Sequence, residues 1–220
     1  MPVEVMPDHK RNLKYVVHTE NRKLYFPASF PDKKIEKLYK SLLIEQDIQS
    51  AHHYVDSIEE FGGKTILDIG SAEGLTSLEA IEIATFIYFF ECQQEWISAL
   101  NATFEPWKDK IMIVEKFVSD KNGGNKITLD EFLKDKPKED LFIKMDIEGE
   151  ERHALEGVAN VFLTSSNLQF ALCTYHKRTD KNVISSFLDR YNCTYSPREG
   201  FFYTKHKLRT ALIRGCTLNR

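Results

Sequence analysis

The chain has 220 residues, enough for one sizeable domain with an extension, and its 42% apolar and 29% charged residues are the balance of a soluble globular protein. A net charge of −3 argues against a dedicated nucleic-acid binder, which carries a clear basic excess. The greasiest run, IATFIYFF at 83–90, is too short to span a bilayer, and the N-terminus MPVEVMPDHKRNLK lacks the apolar core of a signal peptide.

Residues 1–31 are mixed and punctuated by Pro2, Pro7, Pro27 and Pro31. A helix is expected from Asp32 to about Gln46, with Ile35, Leu38, Tyr39, Leu42 and Leu43 at helical spacing and Asp32 as N-cap. A second helix is expected from Ile48 to Glu60, ended by Gly62-Gly63. These make residues 1–60 a helical extension or cap, and residues 61–220 the main domain. From Lys64 onward strands and helices alternate: TILDIG (65–70), a helix over 74–84, FIYFFE (86–91), a helix over 93–104 and IMIVEKFVS (111–119). After the turn DKNGGNK come LFIKMDI (141–147), a helix from Glu150 to Phe162, LQFALCTYH (168–176) and a helix near 181–191. FFYTK and TALIRG, joined by KHKLR, close the chain as two last strands. The pattern calls for an α/β fold: a mainly parallel seven-stranded sheet with helices on both faces. Such sheets bind ligands beyond the C-terminal ends of their strands.

The first of those ends reads LDIGSAEG. Gly70 and Gly74 bracket a tight turn in a GxxxG pattern, unlike the GxGxxG of dinucleotide sites. Asp68 would repel a pyrophosphate but suits an ammonium or sulfonium, and Ser71 lies in the same turn. S-adenosylmethionine carries both cations and no phosphate. A strand-to-helix turn that merely needs glycine is the plainer reading. Glu91 follows Gly70 by 21 residues, the distance at which an acid reaches ribose hydroxyls in this architecture, though it could also serve a helix start. At the third strand end, Phe117 and Val118 are placed to pack on an adenine and Ser119 to bond its edge.

LDIGSAEGLTSL, FFE, FVSDKNGG with TLDEFL, and IKMDIEGEERHALEG together resemble the FkbM family of S-adenosylmethionine-dependent methyltransferases. The family pattern K-x-D-x-E-G-x-E is matched by Lys144, Asp146, Glu148, Gly149 and Glu151. The resemblance covers about 64–176; EQDIQSAHHY (45–54) is similar to a segment before the domain in some members, with Ala51 where proline often stands. It implies a Rossmann-like class I methyltransferase fold, S-adenosylmethionine as cofactor, and O-methylation, often of a sugar hydroxyl. Members often carry Glu-x-His at the fifth strand end; here Thr174-Tyr175-His176 stands instead.

Along the fourth strand Phe142, Lys144 and Asp146 share one face, joined by Glu148 if extended geometry persists. Asp146 is expected at the cofactor's reactive end, to hold an ammonium or orient an acceptor hydroxyl. Glu148 lies one step outward, nearer an acceptor. Glu150 and Glu151 read as helix-start acids. His176 is the candidate general base, with Glu148 as partner or rival, because methyl transfer to a hydroxyl must remove its proton. Asp146, Glu148 and His176 holding a divalent cation is the alternative. His52, His53 and Tyr54 are candidates to close over the site. Cys92, Cys173, Cys193 and Cys216 are far apart with no metal spacing, and read as free thiols in a reducing cytoplasm. The basic stretch KHKLRTALIRGCTLNR reads as a solvated edge or tail, with an anionic partner as alternative. The expected partners are a small-molecule or saccharide acceptor and a second copy in a homodimer, with no nucleic acid and no membrane span. A nicotinamide-dependent oxidoreductase and a non-catalytic domain of the same fold are the competing functions.

Overall fold

The computed structural model describes residues 3–204 and 206–218. Lys205, Asn219 and Arg220, part of the basic C-terminal stretch, lie outside the described residues.

The chain opens with an antiparallel meander of β1 (Met6–Asp8), β2 (Leu13–Val17) and β3 (Lys23–Pro27), followed by α1 (Asp32–Glu45). The doubly wound part runs β4 (Thr65–Ile69), α2 (Leu75–Ala80), β5 (Phe86–Phe90), α3 (Gln94–Thr103), β6 (Ile111–Val114). A small parallel pair, β7 (Phe117–Val118) and β8 (Lys126–Ile127), leads through α4 (Leu129–Phe132) to β9 (Leu141–Met145). Then come α5 (Glu151–Glu156), α6 (Ala159–Thr164), β10 (Gln169–Cys173), α7 (Asp180–Arg190), β11 (Cys193–Pro197), β12 (Phe202–Thr204), β13 (Lys207–Arg209) and β14 (Leu212–Thr217). The main sheet has seven strands in the order β11-β14-β10-β9-β4-β5-β6, with β14 antiparallel to both its neighbours and the rest parallel.

Two cores follow from the alternation of the central strands. Leu67, Ile69, Leu141, Ile143, Met145 and Leu172 bury one face under the helices after β6. Ile66, Ile87, Phe89, Phe142, Ala171 and Cys173 bury the other with α2, α3 and the N-terminal meander. Asp68 and Lys144 are the polar members of this second face, in register with each other across β4 and β9. The strand order reverses at this pair, since β5 and β6 extend one side of β4 and β9 and β10 the other.

The expected helical extension is corrected in two places. The first 31 residues hold the meander, whose β2 and β3 are rich in β-branched and aromatic side chains and bury Val16, Leu24 and Phe26. It clamps α3 and α2: Tyr25 N–H donates to Thr103 Oγ1 at 3.0 Å, and Arg22 donates to the Leu78 carbonyl at 2.8 Å. The helix expected over 48–60 is a loop ending in a single 3-10 turn, Ile58–Phe61. Asp47 and Ser50 side chains accept from the backbone of Gln49 (2.9 Å) and His52 (3.1 Å), local turns that compete with a helix. At α1 the N-cap position is Pro31, and Asp32 instead bonds Lys14 at 2.8 Å.

Three further expectations shift. The third strand breaks after Val114, so Phe117 and Val118 leave the main sheet for β8. The helix expected to Phe162 divides at Gly157, where an added Cβ would stand 2.1 Å from the Ser119 carbonyl. FFYTK supplies β12 of a separate hairpin with β13, and Cys193–Pro197 takes the outer place in the main sheet. The basic end is partly neutralised: Arg214 bonds Asp56 (2.8 Å) and Glu60 (3.2 Å).

Candidate functional site

The turn after β4 is set by close approach. Gly70 has φ +78°, and a Cβ there would sit 1.9 Å from the Asp146 carbonyl. Gly74, at φ +74°, would press a Cβ against Leu100 at 2.9 Å. Only glycine relieves both constraints at once. Ser71 Oγ donates to the Asp68 carbonyl at 2.7 Å, closing the turn.

Asp68 borders the cavity beside the turn, but its carboxylate is already engaged. Its Oδ1 is 2.9 Å from Lys144 Nζ, its Oδ2 accepts from Ser77 at 2.6 Å, and Lys144 also donates to the Gly70 carbonyl at 2.7 Å. Burial works against the Lys144 charge, but Asp68 and Asp146 outweigh it, so the amine titrates above the ordinary lysine range. The pair is a buried brace that ties β9 to the turn.

Two residues further on, just past the end of β9, Asp146 gathers donors. Tyr54 Oη donates to it at 3.1 Å and Tyr175 Oη at 3.1 Å, from a loop before β4 and from the end of β10. His52 Nε2 lies 3.6 Å away and His176 Nε2 3.4 Å away. Burial alone would raise the Asp146 carboxyl; Lys144, His52 and His176 hold it below the usual carboxylate range. His52 is itself buried, packs against Tyr54, Tyr175 and Phe202, and has its pKa depressed by that burial. His53 is not drawn in and sits in the field of Arg198 and Arg214.

β9 ends at Met145, so the extended geometry that would align Glu148 with Asp146 is lost. Glu148 turns out at φ 56° with its side chain 94% exposed, 3.7 Å from His176 Nε2. Gly149, at φ +99°, lets the backbone pass beside His176, whose Cβ would be 3.4 Å from an added methyl. Glu150 faces solvent near Lys177, as a helix-start acid should. Glu151 departs from that reading: it is fully buried, its Oε1 accepts from Ile147 N–H at 3.0 Å, and the same oxygen is 2.9 Å from His176 Nδ1, a contact bent from the ideal hydrogen-bond line.

A cavity of about 150 Å³ opens between the glycine turn, Asp146 and the end of α1. Tyr54, Glu45, Glu73, Gly70, Asp146 and Glu148 line it. Burial pushes the Glu73 carboxyl up to about 7. Burial also raises Glu45, against a hydrogen bond from Ser41. Glu73, Glu45 and the tyrosines were not among the residues singled out as cofactor-binding. SAEG contained Glu73 in plain sight, but an acid inside a turn reads as solvated until burial is known.

Glu91, Val118 and Ser119 do not line this cavity. Glu91 accepts backbone N–H groups of Cys92 (2.7 Å), Gln93 (2.8 Å) and Ala72 (3.1 Å), joining the start of α3 to the glycine turn. Val118 is buried in the core under the helices after β6, and Ser119 bonds Asp120 at 3.0 Å while Phe117 stays half exposed. For a cation, ligand atoms of Asp146, Glu151 and His176 lie within 4.8 Å of one another, as do those of His52, Asp146 and Cys173. Those atoms are already engaged, Asp146 by two hydroxyls and Glu151 by backbone N–H, so the set fits a hydrogen-bonded network better than a ligand shell. A ligand with an ammonium or sulfonium fits the acidic lining, and the left-handed glycine turn leaves backbone open to its approach.

Solved structures share this architecture. The methyltransferase FkbM of Methylobacillus flagellatus superposes with TM-score 0.57 at 18% identity, covering 70% of this chain and 43% of that one. The chain thus spans under half the length of that relative. The fibrillarin pre-rRNA processing protein of Methanococcus jannaschii superposes with TM-score 0.52 at 11% identity over 100% of both chains. These likenesses establish the class I methyltransferase fold. No curated protein matches the chain. The model of the methyltransferase FkbM domain matches residues 9–195, from the meander to β11, and the chain belongs to that family.

Proposed function

We propose that this protein is an S-adenosylmethionine-dependent O-methyltransferase acting on a hydroxyl of a saccharide or related small metabolite. One observation carries the reading: an acid-lined cavity at the sheet's switch point, beside a left-handed glycine turn, with a histidine 3.4 Å from the Asp146 carboxylate in its wall. When bound, S-adenosylmethionine supplies an electrophilic methyl group on a sulfonium, and the acceptor oxygen forms the new bond as the S–C electron pair returns to sulfur.

The residues divide the remaining work. The Gly70–Gly74 turn with Ser71, and Glu91 behind it, would hold the cofactor, and Glu73 and Asp146 face its cationic groups. Asp146 is kept ionised by its neighbours and orients rather than abstracts. His176 is the general base, since its Nε2 lies between Asp146 and Glu148, two residues that line the cavity. Glu148 is free in solvent to meet an acceptor's hydroxyls. The four cysteines are free, which suits a reducing cytoplasm. Among the described residues, no helix is long and apolar enough to cross a membrane.

Calorimetry with the cofactor tests the first half, and absence of binding at high micromolar concentration would sink it. Methyl transfer from labelled cofactor to a panel of saccharides and small hydroxylated metabolites tests the second. His176→Gln should lower turnover by roughly 10²–10⁴ while sparing cofactor affinity. An unchanged rate removes His176 as the base.

A further inference from the structure

Glu151 is placed where an acid needs no chemistry to explain it, in the first turn of α5. Its surroundings do not match that role. The side chain is 0% exposed, whereas its neighbour Glu150 is 60% exposed at the same helix end. One oxygen, Oε1, collects the backbone N–H of Ile147 at 3.0 Å and of Gly149 at 3.4 Å, and approaches His176 Nδ1 to 2.9 Å. The other oxygen, Oε2, is buried with no partner. A buried carboxylate is costly to keep unless a charge or donors compensate it.

We propose that Glu151 is the positioning residue of the base: it holds His176 with the proton on Nδ1 and its Nε2 lone pair turned to the acceptor. The inference rests on the reading of His176 as general base. In the transfer step, the acceptor hydroxyl's proton passes to Nε2 as the oxygen takes the methyl group. The ring then carries both protons, and its positive charge lies between Glu151 and Asp146 until the proton leaves to water. The same Glu151 oxygen holds the Ile147–Gly149 loop, so base and acceptor loop share one anchor.

The charged and titratable groups facing the ring come from every neighbouring element. They are Glu151 on α5, Asp146 and Glu148 beyond β9, His52 from the N-terminal loop, and Tyr175 on the histidine's own segment. Arg209 from β13 bonds the His176 carbonyl at 2.7 Å and leaves the ring free. Burial would depress the ring, and Glu151, Asp146 and Glu148 outweigh it, so His176 titrates above its ordinary value.

Glu151→Gln in the full chain is the test. The amide nitrogen can occupy the partnerless Oε2 position, leaving an oxygen for Ile147, Gly149 and Nδ1. Cofactor affinity should stay within about twofold, and kcat should fall roughly 10- to 100-fold, less than the roughly 10²–10⁴ expected for loss of the base itself. The acidic limb of the kcat/KM profile should move to lower pH, because the imidazolium has lost one carboxylate neighbour. A limb that stays in place with wild-type binding and turnover otherwise intact overturns the positioning role alone. Glu151→Asp, which restores charge at shorter reach, should recover part of the lost kcat, and no recovery counts against the proposal. Should Glu151→Gln not fold, nitrogen NMR of the ring in the wild-type protein decides: an Nδ1–H tautomer supports the assignment and an Nε2–H tautomer overturns it. Absence of cofactor binding by the wild-type chain is the separate result that removes the underlying function.

Discussion

The two halves of the strand-end cleft treat buried charge in opposite ways. On the β4 side, Asp68 and Lys144 neutralise each other at 2.9 Å. On the β10 side, His176 stands among Asp146, Glu148 and Glu151, a ring whose charge depends on conditions. Both halves draw on one segment, since Asp146 follows the end of β9, two residues after Lys144. The first ties the framework together, and the second serves the reacting groups. What separates them is partner geometry: an ion pair closed by further hydrogen bonds in one case, an imidazole among three carboxylates in the other.

Breaking the closed half should have the largest effect. Lys144→Met leaves Asp68 buried without its cation and should cost about 3–5 kcal/mol, measured by denaturant unfolding. Adding Asp68→Asn should return part of it, and a double-mutant cycle with no coupling would show that the brace is not a unit. Next in size, Tyr54→Phe and Tyr175→Phe should each cost about 1.5–3 kcal/mol, because each removes a hydrogen bond to the Asp146 carboxylate.

A smaller effect comes from Glu73, whose carboxyl is pushed up to about 7. A cationic ligand favours its ionised form, so cofactor affinity should weaken below about pH 7, by up to about 1.4 kcal/mol per pH unit. Calorimetry in two buffers of different ionisation enthalpy should show proton release on binding at pH 6.5 and little at pH 8. Equal heats in both buffers at the lower pH would remove Glu73 from the site.

The two histidines beside Asp146 sharpen the comparison further. His176 is raised, so its stabilisation is present below about 6.5 and is lost as pH rises through its folded value. His52 is depressed, so its contribution is present above about 6.5 and is lost as pH falls through its folded value. Unfolding midpoints from pH 5 to 8 should therefore move in opposite directions relative to wild type for His176→Gln and His52→Gln. At the small end, Glu148→Gln should leave the unfolding midpoint unchanged, since its side chain is 94% exposed.

The amount legible in the sequence differs sharply between residues. The faces of β9 followed from alternation, and Leu141, Ile143 and Met145 do bury one side while Phe142, Lys144 and Asp146 share the other. Gly70 and Gly74 were legible because a strand meeting a helix through two glycines needs backbone that side chains would block. Glu151 was not: its place after Gly149 satisfies a helix-start rule, and only the neighbouring β10 reveals the histidine it faces. Tyr54 and Tyr175 converge on Asp146 from separate parts of the chain, which no local pattern encodes. The N-terminal meander escaped notice because its strands are short and broken by prolines and polar turns.

Local chemistry therefore settled the alternation of strands and helices, the glycine turn and the direction of the β9 side chains. These depend on the period of a strand and the steric limits of one residue's backbone, both of which are written in adjacent positions. The tertiary structure alone decided which acids are spoken for. Asp68 became a brace because parallel register sets it opposite Lys144, and Glu91 became a loop tie because Ala72 lies within its reach. Glu151 faces a histidine because α5 packs beside the end of β10. A carboxylate's role follows from its burial and its nearest donors, and both are fixed by contacts between segments distant in the chain.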